Sequence, residues 1–350
     1  MQPKQTSDKS NDERELPPYE IVRSTCGAFD TDRCVFDQAA ADRFVEELDA
    51  RKVREFGSSL ANDANFTGTQ VGFDGSRETE AAFIVLMHAL DFGSGWRKQL
   101  HKHNNGKGAW LSIKPGIEKF YGSHPGLNSS ELAATTKEEV AEAFDFAGNE
   151  DLDDLVCLLH GVIKELGART VDDYGSLVSF VEAKLGEAWS RNGGTTPAGN
   201  LVWNLVETFP ETFDDCYTVG DQRVCFYKKA QLVVGEIYHR FRQEDERFRF
   251  SDGDNLTAYI DNVICASLRY KKVIVPCQKL EEAIEGGTEI LSGSEDEVAL
   301  RSAAMVGVEY VASATGILSP AELGNYLWAG LGKTPQVRKF QRHATKTVFY

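Results

Sequence analysis

Positive charge is scarce in this chain. Its 350 residues hold 38 Lys and Arg against 54 Asp and Glu, a formal net charge of −16. That balance argues against duplex nucleic acid or an anionic membrane surface as partner, because both demand a basic footprint to displace counterions. A small anion gripped by two or three local cations remains open. No apolar run approaches the ~20 residues of a membrane span. Met1 to Glu20 lacks the apolar stretch of a signal peptide. The seven cysteines (26, 34, 157, 216, 225, 265, 277) are odd in number and scattered, without C-x-x-C spacing. They indicate neither a zinc site nor a disulfide framework, and a reduced cytoplasmic or nuclear compartment fits them. There is no G-x-S-x-G elbow and no His-Glu-x-x-His. No Gly-Lys-Ser/Thr follows Gly193-Gly194, so a phosphate loop is excluded there.

What is present is helical patterning. An apolar fraction of 41% is ordinary for a globular protein. Residues 1–18 are polar and close on Pro17-Pro18, which reads as a disordered tail ahead of one domain over 19–350. Spacings of three and four predict helices over 37–50, 80–90, 136–144, 152–166, 177–189, 201–209 and 229–241. Ser294 and Glu297 form a capping-box pattern that opens another helix, and Ser319-Pro320 opens a last short one. Arg223 to Tyr227 is a short strand or extended entry. Gly57 to Arg77 reads as loop, as does Leu100 to Gly108 with its His101-Lys102-His103, an exposed pair without a third metal ligand. Asp91 to Trp96, with two glycines beside Phe92 and Trp96, is a turn where backbone and rings can approach a ligand. The capping reading of that turn is the preferred one on periodicity alone. The chain is therefore expected to be mainly α, with two or three short strands.

Asp252 to Tyr270 poses the functional question. Read as one helix capped by Asp254, it has the apolar positions Leu256, Tyr259, Ile260, Val263, Ile264 and Leu268 and a single charge between Asn255 and Leu268, Asp261. A carboxylate at the edge of a buried stripe must find a partner, shift its pKa or do chemistry. On the residues alone, a structural partner is the preferred reading. The chemical alternative is support of a positive intermediate, as in glycosidic C–N cleavage.

From Phe209 onward the order of motifs resembles the queuosine 5′-phosphate N-glycosylase/hydrolase family, the queuosine salvage proteins. Phe209-Pro210 is followed by Phe213 and Asp214. Phe226-Tyr227-Lys228-Lys229-Ala230-Gln231 is similar to the family's Phe-Tyr-Lys-Arg-Ala-Gln, and Leu256-Thr257-Ala258-Tyr259-Ile260-Asp261 to its Leu-Thr-x-Phe-Ala-Asp. Leu291-Ser292-Gly293-Ser294 with Glu297 and Arg301, Tyr326-Leu327-Trp328, and the end His343 to Tyr350 recur in register. Leu90-Asp91-Phe92 through Trp96 stands where the family has Leu-Asn-Phe and a following Phe-Trp.

The resemblance implies a helical fold akin to helix–hairpin–helix DNA glycosylases. It implies hydrolysis of queuosine 5′-phosphate to queuine and ribose 5-phosphate, without metal or redox cofactor. Asp261 falls on the catalytic Asp, Tyr259 and Ile260 on residues lining the base pocket, and Phe92 and Trp96 on the aromatic turn. Lys228 or Lys229, Arg269 and the basic C-terminus (Lys333, Arg338, Lys339, Arg342, Lys346) are the candidates for the 5′-phosphate. The chain departs from the pattern after Asp261: the family's Arg, Pro and Gln are replaced around Val263, Cys265 and Ala266. Gly324 and Ala329 stand where pocket carboxylates are expected. These departures leave open a glycosidase for another purine-like nucleotide, or a non-catalytic nucleotide- or protein-binding module. The oligomeric state is not encoded in any pattern found.

Overall fold

The computed structural model describes residues 15–62, 73 and 76–350. Most of the expected tail, through residue 14, therefore lies outside the described residues. The helices run in order α1 (Pro18–Ala28), α2 (Gln38–Glu47), α3 (Ala50–Asn62), α4 (Arg77–Ala89), α5 (Arg97–His103), α6 (Ala109–Ser123), α7 (Ser129–Ala134), α8 (Lys137–Ala143) and α9 (Asp153–Ala168). They continue as α10 (Leu177–Arg191), α11 (Ala198–Thr208), α12 (Pro210–Phe213), α13 (Lys228–Phe241), α14 (Asn262–Tyr270), α15 (Gln278–Glu285), α16 (Glu295–Thr315), α17 (Pro320–Asn325) and α18 (Pro335–Lys339). The fold is mainly α, as expected, with two two-stranded antiparallel sheets among the described residues. Strand β1 (Cys34–Phe36) pairs with β4 (Ile274–Pro276), and β2 (Cys216–Val219) with β3 (Gln222–Cys225).

Local chemistry explains many boundaries. Asp37 caps α2 through Ala40 N–H at 2.9 Å, and Ser76 caps α4 through Thr79 N–H at 3.2 Å. Thr136 with Glu139, and Ser319 with Glu322, are complete capping boxes. The Ser294 box is only half formed. Ser294 Oγ accepts from Glu297 N–H, but the Glu297 carboxylate accepts from Gly293 N–H and turns inward to Arg301. Two expectations need correction. Residues 57–62 complete α3 rather than opening a loop, anchored by buried Val53 and by Phe56 packed edge-on against Tyr326. His101 and His103 lie on α5, because Leu100 and Trp96 bury that helix. Helix α6 continues through Pro115, and Gly116 is required beside it, since a Cβ would meet the Phe144 ring at 2.4 Å.

A further correction concerns the cysteines. Cys216 and Cys225 face each other in the β2–β3 register and are joined by a disulfide. The pair is nine residues apart, a spacing that identifies nothing until a hairpin sets the register.

Helix α4, buried on all sides from Ala81 to Leu90, is walled by α6, α10 and α13, while α16 packs against α1, α2, α14 and α17. One contiguous cluster of buried side chains runs from Tyr19 to Val337 across both groups. Among the described residues, no helix is long and apolar enough to cross a membrane.

Where α16 meets the residues flanking the β2–β3 hairpin lies a fully buried charge cluster. Arg301 donates to both oxygens of Asp215 at 3.0 and 2.6 Å and to Glu297 at 3.2 Å, while stacking on Phe226. Tyr350 OH donates to Glu297 at 3.1 Å, and His343 Nε2 lies 3.1 Å from the same hydroxyl. Burial, aided by the Arg301 charge, pushes His343 down to about 3, so the ring is neutral. This cluster pins the C-terminal segment, which then runs past the turn at Gly95 and Trp96.

Candidate active site

Asp261 is not inside a helix. Leu256 to Asp261 is irregular, with Ile260 N–H donating to Ala258 O at 3.1 Å, and Asp261 is itself the N-cap of α14. Its Oδ1 accepts from the N–H groups of Val263 and Ile264 at 2.9 Å each, while Oδ2 takes no hydrogen bond from the described residues. Asp254 lies in a short turn (Gly253–Asn255) and caps nothing; its neighbour Asp252 serves α11, accepting from Gly199 N–H at 3.2 Å and from Tyr19 OH at 3.0 Å. The helical reading failed because every residue from Leu256 to Asp261 is buried, so the apolar spacing carries no face. Burial pushes the Asp261 carboxyl above the usual carboxylate range. The Lys228 ammonium, the two amides and Arg342 work against that rise.

This approach to Asp261 is held by Gln231 of α13. Its side-chain amide donates to Thr257 Oγ1 at 2.8 Å and to Phe226 O at 3.0 Å, and its carbonyl accepts from Thr257 N–H at 3.0 Å. Two motifs 26 residues apart are thus one clamp. The same helix begins after Tyr227, which adopts φ 47°, and this puts Lys228 at its first position. Lys228 is buried, with its ammonium 3.7 Å from Asp91 Oδ2. Lys229 turns away: it donates to Ala89 O at 2.7 Å between the rings of Phe92 and Phe213, and burial pulls it down to about 7.

The turn after α4 meets the C-terminal segment directly. A Cβ on Gly95 would stand 2.3 Å from Thr345 O, so only glycine allows the contact. Lys346 covers the buried Trp96 ring at 5.6 Å, and Ser94 Oγ donates to Tyr350 O at 3.4 Å. Arg342 donates to Gly332 O at 3.4 Å, and Gly332 packs on Val263, in the first turn of α14. Asn262 Nδ2 donates to His343 O at 3.3 Å, which fixes that segment to the Asp261 cap. Arg97 and Arg338 are close enough to be felt. Burial first, then Arg97, pushes Arg342 down to about 10 against the pull of Asp261; burial and then Arg338 lower Arg97. Among the described residues none of these three guanidinium groups has a carboxylate ion pair. His101, one turn from Arg97 on α5, is lowered by burial and by Arg97 and Arg342, and its Nε2 is buried without a hydrogen-bond partner. An uncompensated cationic cluster beside a carboxylate suits an anionic group held next to the reacting bond.

On the opposite side, His88 of α4 contacts Glu236 of α13 through Nε2, and its Nδ1 is 4.0 Å from Asp91 Oδ2. Glu236, His88, Asp91 and Lys228 stand in a row of polar groups ending beside Asp261, with His88 Nδ1 itself lacking a hydrogen-bond partner. Tyr259 lies over Gly235, where a Cβ would meet its hydroxyl at 2.0 Å, and packs with Leu232 and Ala321.

The profile of the queuosine salvage protein family matches residues 72–350. The chain belongs to that family. The queuosine 5′-phosphate N-glycosylase/hydrolase of Sphaerobacter thermophilus is 26% identical over 334 residues, covering 93% of this chain and 98% of that protein. The protein of the same name from Dictyostelium discoideum is 30% identical over 278 residues, 78% of this chain and 79% of its own length. That of Mus musculus is 24% identical over 152 residues, 43% of this chain and 42% of its own.

In this chain Lys228 faces Asp261, while Tyr259 reaches further along α13 to Gly235 and the turn that carries Phe92 and Trp96 flanks Lys228 through Asp91. Ile260 is fully buried in the core. Arg269 is not brought there. It lies eight residues along α14, about 12 Å of helical rise, and is held by Glu281 at 2.6 Å and Glu285 at 3.0 Å. Reading the sequence missed Arg97, His88 and Glu236. The last two were detectable by the test applied to Asp261, a single polar residue within a buried apolar run. Gly324 is tightly packed, its Cβ position 2.9 Å from that of Ala258, so that place holds no side chain.

Proposed function

We propose that this protein hydrolyses the N-glycosidic bond of queuosine 5′-phosphate, releasing queuine and ribose 5-phosphate. The observation that carries the reading is Asp261, with one oxygen fixed by a helix N-terminus and the other left open, in a chain of the queuosine salvage family. As the C–N bond breaks, its electron pair leaves with the base and positive charge grows at the anomeric carbon, where Oδ2 stabilises it. Water then supplies the hydroxyl to that carbon and a proton to the departing base, so the reaction consumes one water. Lys228 favours the ionised form of Asp261 against the upward push of burial. Arg342, Arg97 and Arg338 hold the 5′-phosphate, replacing Arg269 in that role. Tyr259 lines the base side, and residues 19–350 act as one unit. The proposed setting is cytoplasmic or nuclear.

The test is incubation of the purified protein with queuosine 5′-phosphate and detection of free queuine. Absence of release by the wild type overturns the substrate. Asp261→Asn keeps the cap, since an amide oxygen accepts the same N–H groups, and removes the charge; release that survives it overturns the role of Asp261.

A further inference from the structure

We propose that Glu236 and Tyr259 read the hydrogen-bonding edge of a guanine-like base, the Glu236 carboxylate accepting its ring N–H and exocyclic amino group and the Tyr259 hydroxyl donating to its keto oxygen. The inference rests on the glycosidase reading above and names the residues that select the base. Glu236 is 7% exposed, yet only Oε2 is used, by His88; Oε1 is buried with no hydrogen-bond partner. A buried carboxylate oxygen without a donor carries a desolvation penalty that an arriving N–H relieves.

Beside it, the Tyr259 hydroxyl sits over Gly235 and makes no hydrogen bond with the described residues. Burial and the Glu236 charge raise its pKa, so it keeps its proton and presents a donor. The open Oε1, with lone pairs for two N–H groups, next to one hydroxyl donor complements the two adjacent N–H donors and the keto oxygen of a guanine edge. Leu232 and Ala321 pack with Tyr259 and make its surroundings apolar. Other carboxylates at that end are committed or missing. Glu322 accepts from Ser319 N–H at 2.8 Å and pairs with Arg54 at 3.5 Å, and Gly324 has no room for a side chain. Lys228, near the Asp261 end, and Glu236 are eight residues apart on α13, about 12 Å of rise, a span that accommodates a nucleoside base between its two contacts.

The test compares binding of 7-deazaguanine with that of 7-deazahypoxanthine, which lacks the exocyclic amino group, by calorimetry on the full chain. The wild type should favour the first by about tenfold or more, as expected when a site built for a donor loses it. Glu236→Gln should narrow the ratio to roughly threefold or less, and Tyr259→Phe should weaken both bases together while keeping the ratio. A wild-type ratio near one, or a ratio unchanged in Glu236→Gln, overturns the role of Glu236. Wild-type affinity for both bases in Tyr259→Phe overturns the donor half, and neither that result nor the wild-type ratio requires the Glu236 variant to fold. Queuine release is scored separately: its absence in the wild type removes the glycosidase reading, whereas release with an unaltered ratio removes only the edge assignment.

Discussion

The cluster at Arg301 and the cluster at Asp261 are built from the same groups, buried carboxylates facing buried cations, and they differ in what is left over. Arg301 meets two carboxylates, and Glu297 is further served by Tyr350 OH and Gly293 N–H. At Asp261 one carboxylate oxygen is open, Lys228 stands 3.7 Å from Asp91 without a close hydrogen bond, and three arginines face one another. A network whose charges are paired fixes the chain, even with Arg301 Nε left without a hydrogen bond; one whose charges are unpaired holds them ready for a ligand. The first also serves the second, because the tethered Tyr350 and His343 position Arg342 against the Asp261 cap.

Substitutions can separate the two. The largest effect should come from Asp261→Asn, with queuine release falling at least about a thousandfold while the melting temperature stays close to wild type. A large loss of stability would place Asp261 in the structural class. Arg301→Met should do the reverse: stranding Asp215 and Glu297 without their cation costs about 3–5 kcal/mol, read as a shifted denaturant midpoint. A smaller effect is expected from Arg342→Gln combined with Arg97→Gln. KM for queuosine 5′-phosphate should rise roughly 10- to 100-fold, with little change for the unphosphorylated nucleoside; equal losses for both would remove the phosphate assignment. The smallest is a displacement of the pH profile. Asp261 acts ionised and its pKa is raised, so kcat should fall as pH drops through a limb above the usual carboxylate range. Lys228 lowers that pKa, so Lys228→Met should move the limb to higher pH. A limb that stays put would detach Lys228 from Asp261.

Much of the helical frame was legible, since Asp37, Thr136, Ser294 and Ser319 mark starts by a local rule that tertiary contacts did not override. The rule failed at Asp254 because the segment beyond it is buried on every side and tied to α13 by Gln231, leaving Asp261 as the true cap. Asp261 itself was legible as an isolated charge in an apolar run. His88 and Glu236 carried the same signal but are partners across 148 residues, and neither residue points to the other in sequence. Arg269 was legible only as a nearby cation; its engagement by Glu281 and Glu285 depended on α15, which was not read from the sequence.

The sequence by itself determined the helical class, most helix starts, the family motifs and the isolated carboxylate, Asp261, to which the proposal assigns the chemistry, because caps and periodicity act within a few residues. Only the tertiary structure decided which charges are closed and which remain open. Arg301 finds Asp215 across 86 residues, and Arg342 reaches the Asp261 cap by way of Gly332. Such pairing is set by packing, and the chain order does not encode it.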